Sequence, residues 1–220
     1  MSQRIALSVE YQGADFSGWQ KQSGRLTVEG ALEKAVSFVA NEPIKLHCAG
    51  RTDSGVHALN QIVHFDTDAV RDMPQWLMGI NSSLPTSIVV HAVTPVPDTF
   101  HARFSATARR YVYVIANQAV RSAVLARLVT WHMQPLALDK MKSALPCMIG
   151  KHDFSAFRAA GCQANNPVRD VSTLEIHQSG AFIFIEIAAN AFLHHMVRNI
   201  VGSLLRIGEG LETPEWLSSV

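Results

Sequence analysis

An α+β protein of two related halves, each following a βαββαβ-type order, is the fold class this chain predicts. Three observations carry the prediction. Period-two apolar segments alternate with amphipathic stripes of period 3.6, and the same order begins again after a proline-flanked stretch, Thr94 to Asp98. A length of 220 residues suits two units of about 100 residues, each able to bury its own core. The halves are expected at residues 1–98 and 99–220.

In the first half, Arg4 to Val9 alternates as a strand, and Gln12 to Gly24 is a glycine-containing loop. Thr27 is placed to cap a helix in which Val28, Ala31, Leu32, Ala35, Val36 and Val39 form one apolar stripe, ended by Pro43. Two short β-like runs, Ile44 to Cys48 and Gln61 to Phe65, bracket the loop AGRTDSGVH. A second helical run from Pro74 to about Ser83 and a β-branched strand from Ser87 to Val93 complete the half.

The second half opens on a strong strand near Tyr111 to Ile115 and continues with a helix between Leu138 and Ile149. Arg169 to His177 and Ala181 to Ala188 read as a hairpin joined at Ser179-Gly180. A long helix then carries Leu193, Met196, Val197, Ile200, Val201, Leu204 and Leu205 on one stripe. This order, βαββα, has no counterpart of the first half's final strand, so the last strand of the second half is expected to be missing from these 220 residues, and residues from Glu212 onward to be loosely held. Paired halves of this kind, each an antiparallel sheet backed by helices, place a ligand cleft between them.

Composition excludes several classes of function. Hydrophobic residues make up 48% and charged residues 17%, and no apolar run reaches the ~18 residues of a membrane span. The start MSQRIALSVEY has no apolar core or small-residue cleavage site of a secretory signal, so a cytoplasmic location is expected. Cys48, Cys147 and Cys162 lie far apart with no C-x-x-C pair, which suggests neither a disulfide framework nor zinc. Net charge is only +1, but its distribution is uneven. Thr99 to Leu138 holds no Asp or Glu and includes Arg103, Arg109, Arg110, Arg121 and Arg127; Ile187 to Gly208 is also acid-free. Arginine outnumbers lysine 13 to 6. Planar guanidinium groups suit bidentate phosphate contacts and base stacking, which makes RNA a candidate partner, although solvated strand and helix faces carry such charges too.

The densest chemistry lies in AGRTDSGVH, Ala49 to His57, where Gly50 and Gly55 allow tight turns and Arg51, Asp53 and His57 supply a cation, a carboxylate and an imidazole within seven residues. Asp-Ser-Gly is ordinary turn chemistry. A carboxylate beside an arginine also stays ionised, and so is available as a nucleophile or base. Local pattern leaves both readings open.

Five blocks decide between them: YQGADFSGWQKQ from Tyr11, AGRTDSGVHALNQIVHF from Ala49, FHARFSATARRYVYVI from Phe100, GKHDFSAFRA from Gly150 and ANAFLHHMVRNIVG from Ala189. In these the chain resembles the tRNA pseudouridine synthase A family along nearly its whole length. The resemblance implies conversion of uridine to pseudouridine at positions 38, 39 and 40 of the tRNA anticodon stem-loop, by a homodimer with no metal and no organic cofactor. It implies related domains sharing a long, mainly antiparallel sheet with an active-site cleft.

By the same resemblance Asp53 is the catalytic carboxylate that allows the C1′–N1 bond to break and the base to rejoin through C5, either by attacking C1′ or by removing a ribose proton. Tyr111 is implied to stack on the extruded uracil, a contact worth ~1–3 kcal/mol per base. Tyr113, on the same strand face, reads as core. Arg51 is implied to fill the place of the flipped base or hold the RNA backbone, and Arg198 to pair with Asp53. Arg103, Arg109, Arg110, Lys151 and Arg158 are a class of expected phosphate contacts. Ser54 stands where the family most often has Ala. His57 reads as structural. His194 and His195, taken as helical neighbours, would point about 100° apart and could not chelate one metal together. The competing reading is a non-catalytic RNA-binding protein of paired recognition-like domains, against which the intact AGRTD stands.

Overall fold

A computed structural model describes residues 2–220. The chain divides into two compact units, Met1–Ala106 and Thr107–Val220, each with its own sheet and its own core.

The first unit runs β1 (Gln3–Tyr11), α1 (Val28–Ala40), β2 (His47–Cys48), β3 (Ala58–Thr67), α2 (Met73–Ser83) and β4 (Ile88–Val96). Its antiparallel sheet has the order β2-β3-β1-β4, so the first strand of the chain is central. Alternation on β1 sends Ile5, Leu7, Val9 and Tyr11 to one face, all buried. Both helices close over that face. Val28, Leu32 and Val36 of α1 and Trp76 and Ile80 of α2 share its core with Val63 and Phe65 of β3. Burial of each such aliphatic side chain contributes about 1.5–3 kcal/mol.

The Thr27 side chain caps α1 by accepting the Gly30 N–H at 3.3 Å, as the sequence predicts. The helix ends earlier than Pro43. Asn41 takes the left-handed conformation at φ 57°, and its N–H returns to the carbonyls of Ser37 and Phe38. The strand read as Ser87 to Val93 extends through Thr94–Val96, with Pro95 opposite Ile5. Proline is tolerated there because β4 is an edge strand.

The second unit runs β5 (Arg109–Asn117), β6 (Thr130–His132), α3 (Leu138–Ala144), β7 (Gly150–Asp153), β8 (Val168–Ser179), β9 (Phe182–Ala189) and α4 (Met196–Gly208), followed by a 3₁₀ turn, Pro214–Ser219. Its sheet has the order β6-β5-β9-β8-β7, antiparallel except where β6 lies parallel to β5. Ile183, Ile185 and Ile187 of β9 pack against Met196, Ile200, Leu204 and Ile207 of α4 and Met141 of α3 in one core. The hairpin turn is Gly180-Ala181, with Gly180 at φ 57°. The short edge strands β6 and β7 are absent from the sequence reading. The expectation of a loosely held tail from Glu212 is corrected as well: Leu217 is buried in the core and Trp216 packs against it. Among the described residues no helix is long and apolar enough to cross a membrane.

Candidate active site

The loop between β2 and β3 is anchored to β3 before it reaches Asp53. At its start, the Ala49 N–H donates to the Ile62 carbonyl at 2.8 Å. The buried Gln61 amide then brackets Gly50, accepting its N–H and donating to its carbonyl. Arg51 follows, exposed.

Asp53 opens a tight turn. Its carbonyl accepts the Val56 N–H at 3.2 Å, and Gly55 sits at φ 80° two residues on. That is a type II turn, whose third position requires positive φ and therefore favours glycine. The half-buried Asp53 side chain leaves from the first corner.

A second loop, from Tyr11 to Trp19, backs the turn closely. The Thr52 carbonyl accepts the Trp19 N–H at 3.0 Å, and the Thr52 and Tyr11 hydroxyls are 2.8 Å apart. The Ser54 hydroxyl donates to the Phe16 carbonyl at 3.2 Å, so this side chain ties the turn to its neighbour. The Gly13 N–H donates to Nδ1 of His57 at 3.1 Å, which gives His57 the structural contact expected of it. Gly13 has no alternative: a Cβ there would lie 1.9 Å from the Val56 carbonyl oxygen. Trp19 is buried beneath the loop, its ring 5.9 Å from that of Tyr11. Cys48, the last residue of β2, is no rival nucleophile, because burial pushes its thiol up to about 11.

In the second unit, Tyr111, Tyr113 and Ile115 share one face of β5 and pack on or into the core. The half-buried Tyr111 ring stands edge-on to Phe192, 5.0 Å between centroids. The Tyr113 hydroxyl accepts from Thr130 Oγ1 at 2.8 Å, so this tyrosine braces β6 as well as lining the core. Arg198 is exposed in the first turn of α4. His194 and His195 are not on the helix: His195 is its N-cap at φ 62°, and the two rings lie 4.0 Å apart. This corrects the divergent geometry expected from helical spacing, because His195 itself is left-handed and both residues precede the helix.

The basic residues separate by position. Arg109, Ala189, Val171 and Gly150 are successive partners across β5, β9, β8 and β7, so Arg109 and Lys151 stand at the same end of this sheet. Three strand spacings, roughly 14 Å, lie between them. Arg109 Nη1 donates to the Asn190 carbonyl at 2.8 Å, and Arg158 Nη2 to that of Cys162 at 2.6 Å. Arg110 is on the opposite face of β5 from Tyr111 and pairs with Glu186 at 2.6 Å. In the first unit, Arg103 lies 5.7 Å over the Phe104 ring.

Sequence reasoning placed both the Asp53 loop and the loop at Gln12 to Gly24 but missed that the second backs the first. The block YQGADFSGWQKQ was the available signal, since Gly13 and Gly18 in one short stretch mark a backbone that something approaches closely.

A family model described as tRNA pseudouridine synthase matches residues 7–105 and 144–220, which include both loops, Tyr11 to Trp19 and Ala49 to His57. The chain belongs to the tRNA pseudouridine synthase family. Its similarity to individual members is high throughout. It is 52% identical over 98% of its length, and 82% of the relative's, to the tRNA pseudouridine synthase A of Hydrogenovibrio crunogenus. The protein of that name from Nitrosococcus oceani is 52% identical over 99% of this chain and 84% of its own, and that from Salmonella paratyphi B 49% over 99% and 80%. Pseudouridine synthases of tRNA are isomerases, and the α+β architecture with two mainly antiparallel sheets agrees with membership.

Proposed function

We propose that this protein isomerises uridine to pseudouridine at positions 38, 39 and 40 of the tRNA anticodon stem-loop, with Asp53 as its catalytic carboxylate. The observation that carries the reading is the turn at Asp53: a type II turn braced by a second loop fixes the point at which the carboxylate leaves the backbone, which is what a reacting group requires. Pseudouridine contains every atom of uridine. The C1′–N1 bond breaks, the base turns, C5 bonds C1′ and then gives up its proton, and N1 takes one up. One ionised carboxylate is enough to start this, by attack at C1′ or by removal of a ribose proton.

Tyr111 stacks on the extruded uracil in this proposal, with the edge contact to Phe192 fixing its ring. Arg51 holds the RNA where the base has left the stem, and Arg198 keeps the Asp53 carboxylate ionised. Arg103, Arg109, Arg110, Lys151 and Arg158 meet phosphates, which position the RNA without reading its sequence. Arg110 would exchange its exposed pair with Glu186 for a phosphate. The working form is a homodimer in the cytoplasm, and it uses neither a metal nor an organic cofactor.

Unmodified tRNA incubated with the purified protein, with and without chelator, is expected to gain pseudouridine at these three positions. Asp53→Asn is expected to remove the product while tRNA affinity stays within about threefold, since neutralising one acid leaves the phosphate contacts intact. Normal turnover by the Asn variant would overturn the assignment.

A further inference from the structure

We infer that His57 is a positioning residue for the isomerisation: by accepting the Gly13 N–H, its imidazole fixes the distance between the Tyr11–Trp19 loop and the turn that carries Asp53. The inference rests on the reading of Asp53 as the catalytic carboxylate.

A backbone N–H can only donate, so Nδ1 of His57 is the unprotonated nitrogen of a neutral ring, with the ring proton on Nε2. Gly13 is buried, and its N–H therefore needs an acceptor from the protein. That acceptor is four residues beyond Asp53, just past the closing residue of the turn. Val56 lies between them: its N–H closes the turn on Asp53, and its carbonyl is the group that a Cβ on Gly13 would strike at 1.9 Å. His57 and Val56 thus grip one residue of the opposing loop from two sides.

The grip is complementary to the contacts upstream of the carboxylate. Thr52 is held by the Trp19 N–H and the Tyr11 hydroxyl, and Ser54 reaches Phe16. Contacts before, beside and after Asp53 all run to the same neighbouring loop. Of these, only the one from His57 uses a side chain downstream of the turn, so its loss lets the closing half of the turn move while the opening half stays fixed. A displacement on the order of 1 Å at a reacting group costs about a hundredfold in rate.

Two variants test the role. Asn can place Oδ1 close to where His57 has Nδ1, whereas Leu fills similar space and accepts nothing. Single-turnover pseudouridine formation and tRNA Kd are measured for His57→Asn, His57→Leu and Asp53→Asn, with exchange of the Gly13 amide followed by NMR. The expected result is a rate about 10–100-fold lower for H57L with Kd within about twofold and faster Gly13 exchange, and an H57N rate within about threefold of the parent. Were H57L to turn over normally, or H57N to be as slow as H57L, the inference would be overturned. If H57L does not fold, the H57N rate alone decides: near-parental supports the role and a large loss rejects it. Full activity in Asp53→Asn would instead remove the underlying reading of Asp53, whatever the His57 variants do.

Discussion

At the scale of single residues, charge and burial act together on a histidine of the first unit. His64 on β3 is buried, its Nδ1 accepts the Ala102 N–H at 3.2 Å, and the rings of His47 and His101 lie 5.0 and 4.6 Å away. Burial, then the nearby positive charge of His101, Arg4 and His47, pushes the His64 imidazole down to about 4. In the unfolded chain a histidine takes up its proton below about 6.5. Between those values the unfolded state binds more protons, so stability falls as pH is lowered from about 6.5 toward 4. Burial lowers His47 in the same direction. The carboxylates of Asp66, lowered by its hydrogen bond from Arg4, and Glu42, lowered by that from Thr67, stay ionised in the upper part of this window. A decline in the denaturant midpoint between pH 6.5 and 5 therefore reports the histidines, and His64→Asn is expected to flatten it; an unchanged slope would contradict that source. Asp53 and Arg51 were legible in the sequence because a carboxylate, a cation and two glycines are concentrated in one loop. The acceptor role of His57 was not, because its partner Gly13 is 44 residues away.

At the scale of elements, the turn at Asp53 and the loop that backs it each depend on a glycine for a different reason, and substitution separates the two. Gly55 holds φ 80° with open space around the missing Cβ. Gly55→Ala is therefore expected to cost about 1–2 kcal/mol of stability from backbone strain alone, read from the denaturant midpoint. Gly13 is limited by space instead. A Cβ 1.9 Å from the Val56 carbonyl oxygen forces the two loops apart. Gly13→Ala is expected to lower the single-turnover rate at least tenfold in protein that remains folded, and a normal rate would show that the spacing of the loops does not matter to the chemistry. Elements with a strong period were readable: the stripe on α1, the alternation on β1 and the β8–β9 hairpin all lie where the residues place them. The strands that escaped are edges. β6 has three residues and β7 reads Gly-Lys-His-Asp, so neither shows an alternating apolar face.

At the scale of the whole molecule, two cores stabilise two units, and the tail belongs to one of them. Leu217, 4% exposed, packs with the core of the second unit beside the partly buried Trp216. Leu217→Ala is expected to destabilise by about 2–5 kcal/mol in chemical denaturation, the range for an aliphatic side chain truncated in a packed core. A loss within about 0.5 kcal/mol, typical of a surface site, would restore the expectation of a loose tail. Pro214 and Glu215 read as the start of a helix, but the sequence did not place Leu217 in the core, because the six-residue 3₁₀ helix that forms, Pro214–Ser219, is too short to establish a repeat.

By itself the amino-acid sequence determined the α+β class, the long helices and central strands, the family, and the loop that carries Asp53. Each depends on residues close together in the chain: a period, a cap, a glycine turn, a contiguous motif. Only the tertiary structure decided which loop braces that carboxylate, where His57 finds its donor, how His194 and His195 meet at a left-handed N-cap, and that Leu217 is core. These depend on the approach of segments far apart in sequence and on backbone angles that many residue types can adopt, so no local pattern encodes them.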